Sequence, residues 1–177
     1  MAGAPGGPPH PAAGGWPSHA PAAYDCPFCE LLAGGIRSAS NLCEPGDLVY
    51  RDGEVAVIMA CDGFGAHGGH AMVIPVAHLE TLYELPDSVA SAIMLATRRV
   101  AVAMKLAWNP DGTSTRQHNE PAGNQHVWHY HQHVFPRYHG DELYRQLRHR
   151  VPVEVRARKA DELREALARI PSPPAHF

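Results

Sequence analysis

The chain reads as an α+β protein in which helices pack against one sheet. Three observations lead there: five short segments with strand character, one run of about twenty residues with helical period, and no strand–helix–strand repeat that would call for a parallel sheet. The 177 residues, 45% of them hydrophobic, suffice for one compact domain plus a tail. No self-similarity appears at solenoid periods.

Residues 1–24 are dominated by Ala, Gly and Pro. They have no periodicity and no charged segment followed by an apolar core, so they read as a flexible extension rather than a secretory signal. Cys26-Pro27-Phe28-Cys29 opens a short helix through Glu30 to Leu32, which Gly34-Gly35 stops. Leu48–Arg51 and Val55–Ala60 read as two strands joined at Asp52-Gly53, a pair suited to a hairpin turn. A glycine-rich loop, residues 62–69, then delivers His70 to a third strand, Ala71–Pro75. Glycine there permits positive φ and close backbone approach to a ligand.

From Pro86 the period changes. Val89, Ile93, Ala96, Val100 and Met104 recur at helical spacing, with Asp87 or Ser88 available as a cap and Asn109-Pro110-Asp111-Gly112 as a stop. Strands are expected again at Gly112–Gln117 and Val127–Phe135. A last amphipathic helix is expected near Val155–Ile170, with Val155, Leu163, Leu167 and Ile170 turned inward. The domain plan is a 1–24 tail, a 25–144 domain and a 145–177 helical extension.

The most informative segment is His129-Tyr130-His131-Gln132-His133. In a strand, alternate side chains share a face, so three imidazoles would stand in a row about 7 Å apart. Imidazole titrates near neutrality, so such a row can supply a nucleophile, a proton donor and cationic partners for phosphate. Cys26-x2-Cys29 is a second signal; alone it fits either a redox pair or half of a metal site. Four cysteines without an export signal point to a reducing compartment, and the cytoplasm is the expected location. Cys43 and Cys61 read as buried small hydrophobes. A net charge of −3 gives no general affinity for nucleic acid, although residues 143–159 carry Arg145, Arg148, Arg150, Arg156, Arg158 and Lys159 among few acids. No apolar stretch approaches the length of a membrane span.

His129 to His133 with the following Val134-Phe135 resembles the signature of the histidine-triad (HIT) superfamily of nucleotide hydrolases and transferases. Gly69-His70-Ala71-Met72-Val73-Ile74-Pro75-Val76-Ala77-His78 is similar to that family's second signature, and Asn119-Glu120-Pro121-Ala122-Gly123 to the approach to the triad. The resemblance covers about residues 24–144. It implies a mainly antiparallel five-stranded sheet, with the long helix and the short amino-terminal helix packed on it. It implies that His131 is the nucleophile toward an α-phosphorus, flanked by His133 and His70, and that Asp62 grips the ribose while Asn119 and Gln117 line the pocket. It further implies a structural zinc ion on Cys26, Cys29, His78 and His129, and a homodimer whose partner's carboxy-terminal region, Arg137 onward here, completes each site. Gln132, where the family has an apolar residue, and His126, where a small one is expected, depart from the pattern.

The expected activity is cleavage at the α-phosphate of a purine nucleotide derivative, either a dinucleoside polyphosphate or a nucleoside phosphoramidate, through a nucleotidyl-histidine. Two alternatives stay open at this level: a nucleotide-binding regulatory protein without turnover, and a phosphorylase or transferase with a dedicated acceptor.

Overall fold

A computed structural model describes residues 15–65 and 68–171. Its elements are α1 (Pro27–Leu32), β1 (Leu48–Arg51), β2 (Val55–Met59), β3 (Asp62–Phe64), β4 (Ala71–Pro75), α2 (Asp87–Trp108), β5 (Gly112–Arg116), β6 (Gln132–Arg137), β7 (Arg148–Arg150) and α3 (Val153–Ala168). Among the described residues one sheet has five strands in the order β1-β2-β4-β6-β5, every neighbouring pair antiparallel. The α+β class and the mainly antiparallel sheet are therefore as expected.

Both faces of the sheet are covered, which explains why β2 and β4 are apolar throughout instead of alternating. Val55, Val57, Met59, Ala71 and Val73 join the core built with α2 and α3. Ala56, Ile58, Met72 and Ile74 join a second core with Phe28, Leu31 and Leu32 of α1. β6 carries Val134 into the first core, while His133 and Phe135, one residue to either side, turn to the opposite face. The histidines therefore lie on the α1 face.

α2 buries Ile93, Ala96, Val100 and Met104 at the expected spacing. It starts at Asp87 with Pro86 before it and no side-chain cap, so neither Asp87 nor Ser88 plays the predicted capping role. It ends where Asn109 takes a left-handed conformation, φ 46°. α3 buries Leu163 and Leu167 as expected, and Ile170 packs against the same core. Arg156, in the middle of that apolar face, is also fully buried: its Nε donates to Asp47 at 2.8 Å, and both side chains are 1% exposed. Further guanidinium donors reach the carbonyls of Val151 and Leu42, so every polar partner of the pair belongs to the protein.

Four expectations need correction. Of the 1–24 tail, residues 1–14 lie outside the described residues, but 15–24 dock on the domain: Ser18 Oγ and the His19 amide both donate to the buried Glu80 carboxylate, and Tyr24 accepts from the Trp128 amide. The segment expected as a glycine-rich loop contains β3; its residues 66–67 lie outside the described residues. β6 begins only at Gln132, so His129 and His131 precede the regular strand and the evenly spaced row is not formed. The carboxy-terminal extension is not helix alone, because β7 comes first and pairs with β3.

Removing one partner of a buried ion pair leaves the other charge without compensation. Arg156→Met should lower the unfolding free energy by about 3–5 kcal/mol in urea titrations, and the double variant Arg156→Met/Asp47→Leu should recover most of that loss. Equal losses in the single and double variants would show that the packing of Arg156, not its charge, holds α3.

Candidate functional site

Three segments bring the site together. Gly69, with φ +115°, turns the chain into β4 and aims His70 at the sheet face opposite α2. The register of β4 against β6 sets Met72 beside His133, and that of β5 against β6 sets Arg116 beside the same residue. The irregular stretch before β6 then carries His131 to within 4.9 Å of His133, ring centre to ring centre, and at a steep angle to it.

Hydrogen bonds orient the rings. His131 Nδ1 lies 2.8 Å from the carbonyl of His129, so this nitrogen carries the proton and donates, which leaves the Nε2 lone pair as the reactive one. His70 Nε2 and His133 Nδ1 share a proton at 2.8 Å, and His70 stacks on Phe135 at 4.1 Å. Phe28 of α1 presents its ring to the edges of both His129 and His131, at 5.6 and 5.7 Å. The amino-terminal helix is thereby a wall of the site.

Burial decides the charge of these groups. It pushes the His131 imidazole down to about 4, against a partial opposing pull from the His129 carbonyl, and His70 down to about 3. His133 is held well below its ordinary range by burial and by the neighbouring His70 and His131. All three are neutral near pH 7. The expectation that the row itself supplies cations is thus corrected: the fixed positive charges around it are Arg116, Arg148 and Arg150.

The rings open into a cavity of about 590 Å³, a volume in the range of small-ligand sites. Asp62 stands on its wall, as do His118 and His126. Asp62 is not at the end of β2 but opens β3, where its two carboxylate oxygens face Arg148 at 3.6 Å and Arg150 at 3.3 Å. Gln117 and Asn119 do not line the cavity. Their amides bond to each other at 2.8 and 3.0 Å, and Asn119 Oδ1 accepts from the Leu82 amide. The residues of that approach which do line it are Arg116 and His118, one position out of phase with the expectation. Alternation out of β5 was the available signal: Arg116 and His118 are two apart, as are Gln117 and Asn119. Gln132 resolves its departure from the family pattern locally, since Tyr130 Oη donates to its amide oxygen at 3.3 Å. Cys43 and Cys61 also line the cavity; Cys43 is buried, but Cys61 is only partly so, with its Sγ 3.9 Å from that of Cys43.

Behind Phe28, Cys26, Cys29, His78 and His129 bring one donor atom each within 4.8 Å of one another. His129 Nδ1 lies 3.3 Å from Cys26 Sγ and 3.7 Å from Cys29 Sγ, and His78 Nδ1 lies 3.3 Å from Cys29 Sγ. His129 Nε2 donates to the Pro75 carbonyl at 2.9 Å, which fixes the tautomer that presents Nδ1 to the cluster. Two thiols and two imidazoles so arranged are able to hold a metal ion. His129 therefore serves this cluster with its ring and orients His131 with its carbonyl.

Fold and site together define an α+β protein with buried neutral histidines lining a small-molecule cavity. The chain belongs to the HIT domain family, whose model matches residues 42–140. It is similar to Protein hit of Bacillus subtilis strain 168, 35% identical over 116 residues that span 66% of this chain and 73% of that protein. It is also similar to a solved structure described as a Zn-bound histidine triad family protein from Mycobacterium smegmatis, with a TM-score of 0.65, 28% identity, and coverage of 81% of this chain and 93% of that one. A third relative is adenylylsulfatase HINT3 of Arabidopsis thaliana, 29% identical over 120 residues, covering 68% of this chain and 56% of that protein. Proteins of this family bind nucleotides and are generally nucleotide hydrolases or transferases. No helix among the described residues is long and apolar enough to cross a membrane.

The depressed histidines make stability depend on pH. An unfolded chain takes up protons near the ordinary imidazole value of about 6.5, whereas the folded one resists until pH approaches 4 or lower, so stability rises with pH across that window. Melting temperature should fall as pH is lowered from 7 toward 4.5. In the His70→Gln/His133→Gln variant that fall should be shallower; an unchanged slope would mean that these rings do not carry it.

Proposed function

We propose that this chain is a nucleotidyl-transferring hydrolase that cleaves at the α-phosphate of a purine nucleotide derivative through a covalent intermediate on His131. The observation that carries the reading is the hydrogen bond from His131 Nδ1 to the His129 carbonyl, which leaves a neutral Nε2 directed among His70, His133 and the cavity. The Nε2 lone pair attacks phosphorus, an N–P bond forms, and the bond to the leaving group breaks with its electron pair staying on that group. Water then attacks the nucleotidyl-histidine, releasing the nucleoside monophosphate and returning His131 to its neutral state. His133 and His70 share one proton between two nitrogens. They offer N–H donors to the non-bridging oxygens, where charge builds in the transition state.

Asp62 suits the ribose, since a carboxylate accepts from two vicinal hydroxyls. His118 takes over the pocket-lining role expected of Asn119 and Gln117. The name of the Arabidopsis relative, an adenylylsulfatase, is consistent with an adenylyl group as the transferred moiety.

Zinc is the metal that best suits Cys26, Cys29, His78 and His129. A tetrahedral ion with Zn–S of about 2.3 Å and Zn–N of about 2.0 Å sets its sulfur and nitrogen ligands about 3.5 Å apart, and the separations found are 3.3–3.7 Å. The mycobacterial neighbour described as Zn-bound supports the choice. Four protein donors close the coordination sphere, so the ion's contribution is to tie α1 to the segment bearing His131, not to activate substrate or water. A homodimer is supported by the open edge of β5 and by Met94, Val102 and Leu106, which α2 leaves exposed.

His131→Ala should lower kcat by about a thousandfold or more while nucleotide binding survives. Acid quench of the wild-type enzyme with labelled substrate should trap a nucleotidyl-protein that the variant lacks. Near-normal turnover by the variant would end the proposal, and binding without turnover in the wild type would favour a regulatory nucleotide-binding protein.

For the metal, Cys26→Ser/Cys29→Ser should lose about one equivalent of zinc per chain and melt earlier, because binding energy at a structural site is folding energy. Residual activity should not respond to added zinc. Protein purified without chelator that contains no zinc would defeat this assignment.

A further inference from the structure

β3 and β7 form a two-stranded arm beside the cavity, separate from the main sheet. Asp62 pairs with Arg150, Gly63 with His149 and Phe64 with Arg148. Directly opposed residues of an antiparallel pair present their side chains on the same side, and alternate residues share a face. One face of the arm therefore bears Asp62, Phe64, Arg148 and Arg150 together, and these four are the residues it contributes to the cavity wall. The arm has a direction. Its Asp62/Arg150 end carries the carboxylate assigned to ribose, and its Phe64/Arg148 end reaches the catalytic rings, with Phe64 6.1 Å from His70 and 6.0 Å from Phe135.

We propose that Arg148 and Arg150 form the binding subsite for phosphates beyond the α-phosphate, so that the leaving group is a polyphosphate such as that of a dinucleoside polyphosphate, not the amine of a phosphoramidate. This rests on the reading of the cavity as the site of attack at an α-phosphate.

Three observations support it. First, the α-phosphate already has His70, His131 and His133, with Arg116 beside them, and its single charge needs no further cations. Second, two arginines face the one Asp62 carboxylate. At 3.6 and 3.3 Å, both contacts are longer than a charge-assisted hydrogen bond of about 2.8 Å, so neither guanidinium is fully spent on Asp62. Third, both side chains reach solvent, Arg148 being 59% and Arg150 47% exposed, and each guanidinium has five N–H donors and no acceptor. Such a fork matches phosphoryl oxygens two at a time, a geometry that a neutral leaving group cannot use.

The competing role for these arginines is merely to hold Asp62 in position, which would affect every ribonucleotide alike. Calorimetric titration of the full chain with AMP and with ATP separates the two. Wild type should bind ATP about tenfold or more tightly than AMP at moderate salt, and in Arg148→Ala/Arg150→Ala that ratio should fall toward one. In turnover, the same double variant should lose about tenfold more kcat/KM on diadenosine tetraphosphate than on adenosine 5′-phosphoramidate. Equal affinity of wild type for AMP and ATP would overturn the proposal. So would a ratio unchanged in the double variant, or equal losses on both ligands. The single variants Arg148→Ala and Arg150→Ala, each required to melt like wild type, provide the same readout should the double variant be unstable. A wild-type protein that shows the ATP preference and loses it in the variants, yet turns over neither substrate, would refute the catalytic reading and leave the phosphate subsite standing.

Discussion

A one-residue slip of β6 against β4 would carry His133 and Phe135 into the apolar layer under α2 and bring Val134 out to the cavity. Everything chemical in this protein depends on that register, with Met72 and Arg116 flanking His133. The period of a strand is two, so one step exchanges its faces, and burial on both sides makes every such step expensive. Val134, fully buried among Val73, Val100 and Met104, is the residue whose apolar surface most plainly opposes the slip. Core packing on one face thereby sets the catalytic geometry on the other.

The same burial sets the electrical state of the site. Removed from water, the three catalytic imidazoles stay neutral at physiological pH, a form that suits a nucleophile and hydrogen-bond donors but brings no positive charge. The guanidinium groups of Arg116, Arg148 and Arg150 provide it instead, since arginine keeps its proton at any accessible pH. Nucleophile and countercharge are thus divided between two residue types. A single group asked to do both would have to change protonation during the reaction.

His129 links the two clusters of the site. Its ring faces Cys26 and Cys29, its Nε2 donates to Pro75, and its carbonyl accepts from His131. A disturbance of the cysteine cluster therefore reaches the nucleophile through one residue and one hydrogen bond. Phe28, between the cysteines and edge-on to both histidines, adds a packing route between the same two places. The amino-terminal segment is part of the site's support for this reason, and the docking of Ser18 and His19 on Glu80 extends that support upstream.

Much of the fold and site was legible in the sequence because it is local. The helical period of α2, the Asp52-Gly53 turn, the spacing of His129, His131 and His133, and the two signatures that mark the HIT family each lie within a short stretch and obey a fixed repeat. The phase of the approach to the triad was not legible. Gln117 and Asn119 are as polar as Arg116 and His118, so no apolar contrast told which pair faces inward, and only packing against Leu82 and the cavity decided it. The β3–β7 arm was hidden for a different reason. Each strand is three residues long, too short for a period to register, and their pairing joins segments 86 positions apart in the chain. Sequence by itself determined which residues could do the chemistry, through local spacing. Tertiary structure decided which of them meet, because the arm's pairing and the charges of the buried histidines arise from contacts and burial that exist only once the chain has closed on itself.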